Sequence, residues 1–191
     1  MFGKILVATV ALCALASPVI AKRFQHPFGE LREYHRHWLT VCPNKKNIQA
    51  AAFYERTCWA STFSGDREGN VSGSFPGNRL TVSKDRFTGR FKITFVASTK
   101  ANYQNEGPVI LRFSNGDTLS LTFNKDVVTN GNSLNEFPFA DDAMTYQLIE
   151  KMRLASHMVM TLPANAGPQR IQFSMLGLRS AMEFISIQGR R

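Results

Sequence analysis

The chain has 191 residues and a formal net charge of +9, with 43% hydrophobic and 19% charged residues. That length suits one domain with its own core, and the absence of an internal repeat or low-complexity stretch excludes an array or a tail-like chain. The positive charges are scattered with no run of five or more, which speaks against a nucleic-acid arm, and no nucleic-acid-binding motif is present.

Residues 1–21 read as a secretory signal peptide. Lys4 supplies the positive start, Ile5 to Ala16 form a short apolar run, and Val19-Ile20-Ala21 match a signal-peptidase site, so cleavage is expected after Ala21. The run is shorter than the ~20 apolar residues that span a bilayer, so no transmembrane anchor is expected. The exported chain begins at Lys22 and keeps a net charge of +8 once Lys4 is removed. A basic surface outside the cytoplasm favours acidic partners: an acidic envelope or host-surface component (lipopolysaccharide or phospholipid headgroups, or acidic glycans), or an acidic protein face.

Residues 22–33, with mixed charge, Pro27 and Gly29, are expected as a flexible lead-in to a β-rich domain over 34–191. Tyr34 to Cys42 reads as the first strand. Ala50 to Phe63 mixes helix and strand formers, and a strand is expected from about Glu55, bringing Cys58 opposite Cys42. Leu80–Ser83 and Arg90–Ser98 follow as strands, the second with Phe91, Ile93, Phe95 and Ala97 on one face. Val109, Leu111 and Phe113 alternate into Asn115-Gly116, and Leu119, Leu121 and Phe123 alternate out again. Asn-Gly accepts the positive φ of a tight turn, so this is a β-hairpin with one apolar face. The period then changes: Asp141 or Asp142 caps a helix carrying Met144, Leu148, Met152 and Ala155 on one side. Strands are predicted at His157–Leu162 and Arg170–Ser174, and a closing helix over Leu178–Ile187. The predicted fold is mainly β, an antiparallel sandwich-like single domain with one or two helices.

Cys42 and Cys58 are an even pair in an oxidising compartment and read as a structural disulfide, since zinc sites need tight Cys or His pairs that are missing here. Cys13 falls within the signal. Glu33, His35 and His37 alternate, so on one strand they would share a face; they are the weak candidates for a metal site, with no further ligand identifiable. No serine sits in a Gly-x-Ser-x-Gly elbow and no Gly-rich loop has phosphate-binding spacing. Asp141 and Asp142 serve a helix start, His157 lies on an apolar strand, and the methionines of the C-terminal third follow the apolar faces. No catalytic residue, cofactor or enzyme activity emerges. Trp38 and Trp59, beside Arg36, Lys45 and Lys46, are candidate contact residues, because aromatics and arginine dominate binding hot spots. Packing against the disulfide is the competing role for both tryptophans.

A set of short motifs carries a resemblance. Trp38-Leu39-Thr40-Val41-Cys42 precedes Cys58-Trp59-Ala60. Phe113-Ser114-Asn115-Gly116-Asp117 leads into Leu119 and Leu121, ahead of a mid-chain helix. Ser174-Met175-Leu176-Gly177-Leu178 is followed by Ser180-Ala181-Met182. Over Tyr34 to Ile185 this resembles the invasion-associated locus B family of alphaproteobacterial exported proteins. That family's second cysteine pair would fall near Phe137 to Thr145, where Phe137-Pro138-Phe139 is present and no cysteine follows. The resemblance implies an envelope-associated or secreted β-rich protein linked to host-cell entry, and brings no catalytic residues. The leading expectation is a non-enzymatic periplasmic or surface-exposed interaction protein, a host-cell invasion or virulence factor. The alternative is a periplasmic carrier of a small apolar ligand, its guest held between sheets, or an enzyme whose site is assembled from distant residues.

Overall fold

The computed structural model describes residues 23–44, 52–64, 77–97, 106–129, 136–165 and 167–189. The predicted signal peptide, Lys45 and Lys46 lie outside them. Two antiparallel sheets and three helices form a sandwich-like domain. No helix among the described residues is long and apolar enough to cross a membrane.

The larger sheet begins earlier than the sequence suggested. Strands β1 (Arg23–Gln25) and β2 (Glu30–His35) occupy most of the expected lead-in. The cause is local pairing: Arg23 lies opposite Glu33 and bonds it at 2.8 Å, and Phe24 stacks with Tyr34. Gly29, at φ 80°, takes the left-handed turn between the strands. The single strand expected over Tyr34–Cys42 is instead the end of β2, a turn at Arg36-His37 and β3 (Trp38–Pro43). Arg36 has φ 54°, which breaks the strand.

A one-turn helix, α1 (Phe53–Arg56), then leads into β4 (Thr57–Phe63), followed by β5 (Arg79–Asp85) and β6 (Phe91–Val96). With β9 (Glu136–Pro138) they complete the order β1-β2-β3-β4-β5-β6-β9. The second sheet holds the Asn-Gly hairpin, β7 (Pro108–Phe113) and β8 (Thr118–Thr122), with β10 (His157–Leu162) and β11 (Gln169–Ser174), in the order β11-β10-β7-β8. Helix α2 (Asp142–Leu154) is capped by Asp141, whose carboxylate accepts the Ala143 N–H at 2.9 Å. Helix α3 (Leu178–Gln188) packs on β2, β3, β4 and β5.

Strand alternation sorts the large sheet into two faces. On the inner face stand Trp38, Thr40 and Cys42, then Cys58, Ala60 and Thr62, then Leu80 and Val82, then Ile93 and Phe95, all buried. The Cys42–Cys58 disulfide forms across β3 and β4, with Cα atoms 4.3 Å apart. Helix α3 covers this face, and Phe173 of the second sheet meets Phe95 edge-on at 6.1 Å. Met152, Met158, Met160 and Met175 are buried as core filling. Burying Phe95 and Phe173 stabilises the fold by about 1.5–3 kcal/mol each.

Candidate contact face

Trp38, expected among the contact residues, belongs to the core. It is fully buried, and its indole N–H donates to the Ser174 carbonyl at 3.0 Å. It alternates with Thr40 and Cys42, so once the disulfide faces inward the ring must follow. Trp59 takes the opposite side: it neighbours Cys58 in β4 and therefore points away from the core.

The register of the large sheet sets Trp59 in a transverse row on the outer face: Phe24, Arg32, Val41, Trp59, Ser83, Lys92. The next row holds Tyr34, Leu39, Ser61, Thr81 and Thr94, and a third pairs Phe63, Arg79 and Val96. Tyr34 is 53% and Phe63 44% exposed, while Phe24, Leu39 and Trp59 are half-buried. The charges differ in their pairing. Arg32 reaches Glu30 at 2.6 Å. Arg79 buries its Nε with no hydrogen-bond partner, and exposed Lys92 makes no ion pair among the described residues. Aromatic rings, hydroxyls and positive charge thus share one face, within which Val41 and Ser61 are themselves buried. Tyr34, Arg32, Arg79 and Lys92 were not singled out as contacts from sequence. The readable signal was the period of two in Trp59, Ser61 and Phe63.

Of the other predicted residues, Arg36 is exposed in the β2–β3 turn. Glu33 and His35 do share the inner side of β2, but His37 lies in the turn, off the strand. The three are therefore not gathered on one face. Among the described residues, no group of three His, Cys, Asp or Glu is placed to hold a metal. His35 is 8% exposed, with its Nε2 unpartnered and 3.7 Å from Glu33 Oε1. Its ring lies 5.7 Å from that of Phe184 on α3. Burial pushes the His35 pKa below its ordinary value, against the smaller opposing pull of Glu33. His157 is half-buried beside the Ser156 hydroxyl at 3.2 Å, and Asp142 stands 3.6 Å from Arg90.

Two clefts flank Phe91. One of about 290 Å³ runs between β5, β6 and the start of α2, with Asp85, Arg90, Lys92 and Asp142 in its wall. Asp85 is occupied there, accepting from the Phe87 and Thr88 N–H groups and from Arg56 Nε. The other, of about 450 Å³, separates α2 from α3 between Tyr146, Arg153 and Arg179. Exposed Tyr146 and half-buried Phe91 supply its apolar lining, while Ile149 and Met182 are buried beneath.

Fold and surface together define a disulfide-stapled, two-sheet β domain whose large sheet carries aromatic and basic side chains on its outer face. Comparison of the chain with protein-family models, with curated proteins and with solved structures gave no match.

Proposed function

We propose that this is an exported, non-enzymatic interaction protein of the cell envelope or surface that makes its contacts through the outer face of the large sheet. The observation that carries the reading is that face itself. On the side away from α3 and the second sheet, it pairs Phe63 with Arg79, sets Trp59 two strands from Lys92 in one row, and carries Tyr34 two strands from Trp59. Large amphipathic rings and arginine are the side chains that dominate contact energies. The disulfide supports an oxidising compartment, as export to the periplasm or beyond requires. A role in host-cell invasion is part of the proposal and rests on the resemblance to the invasion-associated locus B family.

Photo-crosslinking in living cells tests the reading. A photoreactive residue at Ser83, on the outer face, should capture a discrete envelope or surface component. The same residue at Gln172, exposed on β11, should not. Equal capture from both positions, or none from Ser83, would remove the outer face as the contact surface.

A further inference from the structure

Three kinds of side chain alternate on the outer face, and each answers one part of a charged sugar. The rings of Trp59, Tyr34 and Phe63 offer flat apolar surface on which the C–H side of a pyranose can lie. Between them stand hydroxyls that both donate and accept. Ser61 is buried and held by Thr81 at 2.9 Å, so the hydroxyls of this row open to a ligand are those of Thr81 and Thr94, both half-buried. The third kind is positive charge: Arg79, half-buried, and Lys92, exposed, neither of which makes an ion pair among the described residues. The register places these two one strand and four residues apart, about 14 Å between Cα atoms.

Resting on the contact reading of this face, we infer that it takes an acidic polysaccharide, a chain of sugars bearing carboxylate or sulfate groups. Sugar rings stack on Trp59 and its aromatic neighbours, and the anionic groups reach Arg79 and Lys92. A peptide is the poorer fit. The inner strands β3, β4, β5 and β6 already spend their backbone groups on one another, so an extended segment finds no free edge there to pair with.

The test is calorimetric titration of the purified protein with three probes: oligogalacturonate, neutral dextran and polyglutamate. Saturable binding to oligogalacturonate is expected, with none to dextran, and affinity should fall as salt rises. Trp59→Ala should lower that affinity at least about tenfold, the mark of an anchor residue. Lys92→Glu, a change at an exposed side chain that leaves the core untouched, should lower it too and guards against a folding defect in the tryptophan variant. Polyglutamate binding as tight as oligogalacturonate would overturn the sugar and leave an acidic protein as the partner of the same face. Failure to bind oligogalacturonate, with crosslinks still forming from Ser83, would likewise overturn the sugar alone. Oligogalacturonate binding that neither variant weakens would overturn the sugar site on this face, with the contact face itself decided by capture from Ser83.

Discussion

At Gly177 the backbone sits at φ 96°, and a Cβ built there would lie 1.9 Å from the carbonyl oxygen of His35. Only glycine allows the β2–β3 turn to seat against the start of α3, where the His37 N–H also donates to the Leu176 carbonyl at 3.4 Å. Gly177→Ala must strain the backbone and part the two segments, so a loss of more than about 1–3 kcal/mol is expected in chemical denaturation. His35 lies at the same joint, facing Arg23 on β1, Glu33 beside it and Glu183 on α3. Its folded pKa is lowered, chiefly by burial, so the unfolded chain binds the proton more readily. The neutral histidine therefore contributes stability above its unfolded pKa of about 6.5, and that contribution is lost as pH falls through the folded pKa. Melting temperature should drop over this range in the native protein and drop less in His35→Gln. Equal pH profiles would remove His35 from the explanation. None of this was legible in the sequence, where Glu33, His35 and His37 read as one alternating face. The turn at Arg36 is set by packing against residues about 140 positions away, and no local pattern reports that.

Elements with a period of their own were legible. The Asn115-Gly116 hairpin, α2 with its Asp141 cap and α3 all appear where apolar spacing placed them, because each buries one stripe against a neighbour. Asp117 at the hairpin tip also reaches Lys151 on α2 at 2.8 Å, and that hydrogen bond holds its carboxyl below the usual range. Asp141→Ala should cost about 1 kcal/mol by freeing the Ala143 N–H, read as a shift in the denaturation midpoint. The β3–β4 pair depends on its covalent link. Replacing Cys42 and Cys58 with serine should destabilise the fold by about 3 kcal/mol, the loop-closure value for a crosslink of this span. Strands β1 and β2 were missed because mixed charge, Pro27 and Gly29 resemble a linker. Their pairing through Arg23 and Glu33 is a cross-strand relation, visible only once the register exists.

At the scale of the molecule, one sheet does two jobs through its alternation. The inner side of β3 and β4 holds the disulfide and Trp38, while the outer side of the same strands presents Trp59. The sequence marked both tryptophans alike, since each lies close to a cysteine. What separates them is parity: Trp38 is four residues from Cys42, and Trp59 is one from Cys58. The measurement that tests the contact face most directly is paired, comparing melting temperature with retention on isolated cell envelopes and host membranes for native protein and Trp59→Ala. The face predicts a melting point within a few degrees of native together with a large loss of retention. A collapsed melting point with retention per folded molecule unchanged would make Trp59 a packing residue and contradict the account.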